Sequence, residues 1–282
     1  MKEHLKTGQK ICIALFALAV LAAFTVGQKG VEAKEGQRTE VIENSRDSEG
    51  TESGETGKAD MDRLSEERSR RVHGEGKILP EGRGEVRVVL DAGHGGYDPG
   101  KIGINDALEK DVNLAVTLLV REYLEASGVK TVMTRKEDLS LGGEGGDNRK
   151  VRDLKQRIEI IENADPALAV SIHQNSYPEE YVSGAQVFYY RTSVEGRKLA
   201  QALQDRLIGE LDPTNDRQIK ENDSYFLLKK TSVPLVIVEC GFLSNRNEAD
   251  KLCSEDYQDA LAWAIYLGIM DYLEGRSEAA QP

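Results

Sequence analysis

Val86–Asp91, VRVVLD, is a short apolar run that stops at Ala92-Gly93 and is followed at once by His94. A run this short, rich in valine and closed by glycine, reads as a buried strand. The same texture returns at Ala167–Ile172 (ALAVSI), which ends at His173, and at Leu235–Val238 (LVIV), which ends at Glu239. Strands that are apolar on both faces belong to parallel sheets covered by helices on either side. The intervening sequence supplies the helices. Val112, Val116, Leu119 and Tyr123 recur at helical spacing over Glu109–Ser127, and Gly128 stops them. Val151, Leu154, Ile158 and Ile161 mark a second helix, Leu199, Leu203 and Leu207 a third, and Tyr257, Leu261, Ile265 and Tyr272 a last one. Val129–Arg135 and Gly184–Tyr190 read as further strands, and the glycine-rich Leu139–Arg149 as a loop. Strand and helix alternate, so the fold class is α/β: a mostly parallel twisted sheet with helices on both faces, in a single domain over 86–274. Strand order is not readable from this pattern.

Outside that domain the texture differs. Lys2, Lys6 and Lys10 precede the apolar run Ile11–Val26, and Val31-Glu32-Ala33 offers a small-residue cleavage site. Segment 1–33 therefore reads as a signal peptide or an N-terminal membrane anchor, with both alternatives open and the domain exported in either case. Residues 34–85 contain no Phe, Tyr or Trp and are dominated by Glu, Gly, Ser, Arg and Lys, which reads as a disordered polar linker. Residues 275–282 read as a tail. The chain of 282 residues carries 37 basic and 49 acidic side chains, a net charge of −12, which argues against nucleic acid as a partner. Of three cysteines, Cys12 lies inside the apolar run rather than after it, which argues against a lipoprotein anchor. Cys240 and Cys253 read as two ordinary buried thiols rather than a bridge.

Only two of the four histidines, His94 and His173, fall in the domain, and each closely follows a strand. Glu239 ends a third. In open α/β sheets, ligands bind beyond the carboxyl ends of the strands, where these three side chains would converge. A lone histidine at a strand end is more often a structural, hydrogen-bonded residue. The small neighbours in GHGG and HQNS weaken that reading, because they leave room around the imidazoles and give little packing reason for them. A catalytic zinc site takes three protein ligands and keeps a fourth position for water. Glu109 is the candidate third ligand, although Asp106-Ala107-Leu108-Glu109 also has the spacing of a capping box, and spacing alone favours the cap. Glu239 reads either as a strand-end acid in a salt bridge or as a general base and acid beside activated water. No GxSxG elbow, P-loop or GxGxxG is present, and Cys240 lacks a partner that would make it a nucleophile.

VVLDAGHGGYDPGKIG, the helix start LEKDVNLAV, SIHQNS and VIVECGFLSN, in this order between about Val88 and Leu273, resemble the zinc-dependent N-acetylmuramoyl-L-alanine amidases of the Amidase_3 type. The resemblance extends to Met133–Arg135 and Asp153–Asp165. It implies zinc on His94, Glu109 and His173, against the capping box, with Glu239 as catalytic acid/base and hydrolysis of the lactyl amide between N-acetylmuramic acid and L-alanine in peptidoglycan. FLLKKTSVPLVIVECGFLSN further resembles the germination-specific members, which act in forming muramic-δ-lactam in spore cortex. That implies an extracytoplasmic enzyme, in the forespore intermembrane space, with peptidoglycan as its partner. Whether access is constitutive or needs an activating protein partner stays open. The sequence departs from the common pattern at the glycine-rich loop Gly142–Gly146 and at Cys240, where an aliphatic residue is usual. Two rivals share some of these features: an exported zinc peptidase that trims a carboxyl end, and a non-catalytic wall-binding module with a vestigial metal site.

Overall fold

In the computed structural model, which describes residues 53–79, 85–143 and 145–279, the three apolar runs form neighbouring strands at the centre of one sheet. β1 (Arg87–Ala92) runs parallel to β3 (Leu168–Asn175), and β3 parallel to β6 (Leu235–Phe242). β2 (Lys130–Met133) adds in parallel outside β1, β4 (Gln186–Tyr190) pairs antiparallel with β6, and β5 (Lys220–Asn222) closes that edge in parallel with β4. The order is β2-β1-β3-β6-β4-β5, a six-stranded, mostly parallel sheet of the expected α/β class.

Both faces of the sheet are apolar because alternate residues of each central strand feed different cores. Val88, Leu90, Val170, Ile172, Val236 and Val238 pack with α2 (Glu109–Ala126), α4 (Val194–Leu211) and α7 (Glu255–Ala279). Val89, Ala169, Leu235 and Ile237 face Ile161 of α3 (Arg149–Asn163) and Leu227 and Leu228 of α5 (Phe226–Lys230). α6 (Arg246–Leu252) covers the end of the first core with Ala249 and Leu252. The same alternation sets the chemistry. Ser171, His173, Ile237 and Glu239 share the second face, and His173 stands opposite Glu239 in the β3–β6 register.

Three expectations need correction. The linker 34–85 is not disordered throughout, because Ser53–Glu75 forms a helix, α1. Its composition cannot build a core, but the domain offers one ready made. Val72 is fully buried there, and Arg68 pairs with Glu122 and Asp259, each at 2.8 Å. The Arg71 guanidinium lies 4.1 Å over the Trp263 ring. The tail does not begin at 275, since α7 continues to Ala279 and Arg276 donates to the Ala167 carbonyl at 2.8 Å. Of the two thiols, Cys240 is buried as expected, whereas Cys253, at the C-cap of α6, is exposed; both are free. The described residues cluster as one unit. The apolar run Ile11–Val26 lies outside the described residues, among which no helix is long and apolar enough to cross a membrane.

Candidate active site

His94 leaves β1 in the left-handed region, at φ 61°, a conformation that costs a non-glycine residue about 1 kcal/mol or more and that clusters at functional sites. The turn aims its ring toward His173, with centroids 5.0 Å apart and planes at 78°. Close approach at this point depends on Gly93. A Cβ there would lie 2.3 to 2.7 Å from three atoms of the His173 ring.

Glu109 is the first residue of α2, and both of its oxygens have partners in the site. The N-cap is Leu108, with no side-chain cap, and Asp106 sits at φ 65°, so the capping box suggested by spacing does not form. Oε2 instead accepts from the Lys101 amide at 2.7 Å. Oε1 lies 3.0 Å from His173 Nδ1 and 3.2 Å from His94 Nε2, and accepts from the Gln174 amide at 3.1 Å. Two imidazole nitrogens and one carboxylate oxygen thus lie within 4.8 Å of one another. Burial opposes the charge on Glu109, but the two imidazoles outweigh it and hold the carboxyl well below its usual range. Burial likewise pushes His94 down, and the Asp98 and Glu109 carboxylates more than reverse it, to about 9.

Glu239 faces the same space from β6. It is 8% exposed, and its Oε2 has no hydrogen-bond partner among the described residues. Burial raises its carboxyl to about 7, with His173 pulling the other way and Glu109 adding to the rise. A carboxyl poised near neutrality suits general base work. A cavity of about 320 Å³ opens over these groups, walled by Lys150 and Leu154 of α3 and by Tyr225, Phe226 and Leu227 at α5.

The donor set fits zinc. Two imidazoles and a carboxylate converge with a cavity on one side, and an unpartnered buried oxygen stands beside them. The four sequence candidates therefore meet in one place. Residues 88–271 match the model of the N-acetylmuramoyl-L-alanine amidase family, Amidase_3. The chain belongs to that family. It is 40% identical over 194 residues to the germination-specific N-acetylmuramoyl-L-alanine amidase of Bacillus subtilis (strain 168), covering 68% of this chain and 81% of that protein. The CwlD amidase from Clostridioides difficile, solved in complex with the GerS lipoprotein, is 41% identical, with a TM-score of 0.65 over 68% of this chain and 100% of that one. The AmiC2 amidase of Nostoc punctiforme is 34% identical, with a TM-score of 0.59 over 68% and 99%.

The amidase supports its site with groups that spacing did not single out. Asp98 accepts at 2.9 Å from the Nδ1 side of His94, which leaves Nε2 to face Glu109. Asn113, fully buried and one helical turn beyond Glu109, donates to the Gly93 carbonyl at 3.1 Å and to Glu109 Oε1 at 3.4 Å. Its own oxygen accepts from Gln174 Nε2 at 3.1 Å. The four-residue intervals His94–Asp98 and Glu109–Asn113 were the available signal, since such intervals bring side chains together on a helix or a tight turn. Burial pushes the Cys240 thiol up, which keeps it protonated and excludes it as a nucleophile at neutral pH.

Beneath the site, two buried guanidiniums clamp the turn that carries His94. Arg157 donates to the Ala92 and His94 carbonyls at 2.7 and 2.6 Å, and Arg135 to the Ala92 and Gly93 carbonyls, both at 3.0 Å. Asp91 balances this charge. Its oxygens accept from Arg157 at 2.6 Å, Thr134 at 2.7 Å and Ser171 at 2.5 Å. Burial alone would raise the Asp91 carboxyl, but Arg157 and then the two hydroxyls lower it to about 2. Asp91→Asn leaves Arg157 short of countercharge, and urea unfolding at pH 7 is expected to show a loss of about 3 kcal/mol. A depressed folded value means the contribution is complete above the ordinary 3.8 and fades as pH falls toward 2. The gap between wild type and variant should therefore close over that window. A constant gap would detach it from the Asp91 charge.

Proposed function

We propose that this amidase is zinc-dependent, with His94, Glu109 and His173 as ligands and Glu239 as the proton-transfer group, and that it releases stem peptides from peptidoglycan. The observation that carries the reading is the buried Glu239 carboxyl, with one oxygen unpartnered, beside a His-Glu-His cluster. A zinc ion held there supplies Lewis acidity toward the amide carbonyl and makes water more acidic. The protein's own residues do the rest. Asp98 and Asn113 hold His94 and Glu109 in their orientations, and Arg157 and Arg135 fix the turn that carries His94. Glu239 accepts the proton of the attacking water and returns it to the departing nitrogen of L-alanine, so one carboxyl serves both halves of the hydrolysis. A buried acid serves this purpose better than a solvated one, because burial brings its proton affinity near that of neutral solution.

Similarity to a germination-specific relative supports a role on spore cortex, where peptide removal precedes muramic-δ-lactam formation, in an extracytoplasmic setting. The solved complex of a relative with a lipoprotein supports a protein partner for this chain as well. An exported carboxyl-trimming peptidase is the less favoured reading, because the family match places the scissile bond at the sugar–peptide junction.

Digestion of purified peptidoglycan, with and without a chelator, tests the proposal by mass analysis. Free intact stem peptides should appear, vanish on chelation and return with added zinc. Trimmed peptides or unaltered wall would overturn it, and undiminished activity in the chelator would remove the metal from the mechanism.

A further inference from the structure

Among the described Phe, Tyr and Trp side chains, four stand exposed, and all are tyrosines: Tyr97, Tyr177, Tyr181 and Tyr225, at 40, 46, 81 and 36%. The rest are buried or half-buried. The four are not scattered. Tyr97 follows His94 in the connection from β1, and Tyr177 and Tyr181 follow His173 in the connection from β3. Tyr225 precedes α5 and lines the cavity with Glu239. Tyr97, Tyr177 and Tyr181 stand on connections at the carboxyl end of the sheet, and no described helical face carries an exposed aromatic ring.

The backbone that presents these rings is pinned. The Tyr177 amide donates to Ser244 Oγ at 2.9 Å, and Asn245 Nδ2 donates to the Glu180 carbonyl at 2.9 Å. These bonds lace the connection after β3 to the turn that follows β6. The Tyr225 amide donates to Asn222 Oδ1 at 2.8 Å, and its ring packs at 5.7 Å on Phe188. Arg149 lies 4.2 Å over the Tyr97 ring. A tyrosine exposed on a held backbone offers a flat apolar face with a hydroxyl at its tip and little rotamer entropy to lose. A pyranose has the matching surface, with C–H bonds on its faces and hydroxyls around its rim. Charge points the same way. Glu179 and Glu180 adjoin Tyr181 in a chain of net charge −12, which disfavours a carboxylate-bearing stem peptide over a neutral sugar.

We propose that Tyr177 and Tyr181 form a stacking platform for the glycan strand that carries the muramic acid whose amide is cut. The inference rests on the peptidoglycan reading above and names which part of that polymer the rim takes. A protein partner on the same rings is the competing occupant, and the test separates the two.

Binding of the full chain to N-acetylglucosamine oligomers, neutral pyranose chains with no lactyl carboxylate, reads the platform without any bond being cut. The pair Tyr177→Ala with Tyr181→Ala should bind about tenfold more weakly, the scale of two aromatic contacts, while the pair of Tyr→Phe changes keeps affinity within about threefold. On substrates, the ratio of kcat/KM for peptide-bearing strands to that for a single N-acetylmuramoyl peptide should fall by about tenfold in the alanine pair, through KM. Unchanged binding by the alanine pair assigns the rings to another occupant and overturns the proposal. So does an equal loss in the phenylalanine pair, which would remove stacking as the cause. Failure of the amidase reading looks different: wild type would release no stem peptide, whatever the oligomers do.

Discussion

Glu239→Gln should keep its zinc and its fold while kcat falls at least about a hundredfold, the scale of a lost general base and acid. The change is nearly isosteric, and it removes only the capacity to take and return a proton. Stability should not suffer. The Glu239 environment already favours the neutral form, as its carboxyl raised to about 7 shows, and Oε2 forfeits no hydrogen bond because it makes none. The loss should appear in kcat with KM little changed, because proton transfer matters in the transition state rather than in substrate binding. Elemental analysis beside steady-state kinetics checks both halves. Turnover equal to wild type would defeat the assignment. Loss of the metal along with the activity would move Glu239 from proton carrier to ligand.

Glu109→Gln should lower zinc affinity by at least about a hundredfold and abolish activity at limiting metal. The carboxylate is the single anionic donor of the His94–Glu109–His173 cluster, and a neutral amide replaces it poorly toward a dication. The variant also separates the two roles weighed for this residue. A capping box accepts glutamine at the same position, so a capping Glu109 would survive the change intact. Competition against a chromogenic chelator measures the affinity, and thermal unfolding of the metal-free proteins measures the helix. The expected pattern is a large change in the first and a small one in the second. Wild-type zinc affinity in Glu109→Gln would leave the cluster without its anionic ligand and end the metal proposal in this form.

The positions that the residues themselves made legible are those whose signal is local. Runs of four to eight apolar residues ending in glycine or a polar side chain announce β1, β3 and β6, because a strand buried on both faces has no other composition open to it. His94, His173 and Glu239 follow from the same runs, since a residue at the carboxyl end of a central strand emerges at the ligand-binding edge. Glu109 was harder. Its spacing from Asp106 matches a cap, and only the resemblance of several separated motifs spoke against that. The structure explains the outcome, because Asp106 takes a left-handed turn and Glu109 turns inward to the histidines.

Other features had no local signal. β5 spans three residues and α5 five, too few to show a period. The antiparallel pairing of β4 with β6 depends on partners more than 50 residues away, Gln186 and Val187 opposite Glu239 and Val238. α1 reads as linker by composition, and it becomes a helix because Asp259, Glu122 and Trp263 lie ready to receive Arg68 and Arg71.

By itself, then, the order of residues determined the α/β class, the central strands and the three side chains His94, His173 and Glu239 at their carboxyl ends, since period and punctuation act over a few residues. Tertiary structure alone decided that those side chains share one cavity, that Glu239 keeps an unpartnered oxygen there, and that Arg157, Arg135 and Asp91 clamp the turn beneath. These are relations between residues tens of positions apart, set by packing of the sheet against its helices, and no local pattern encodes such distances.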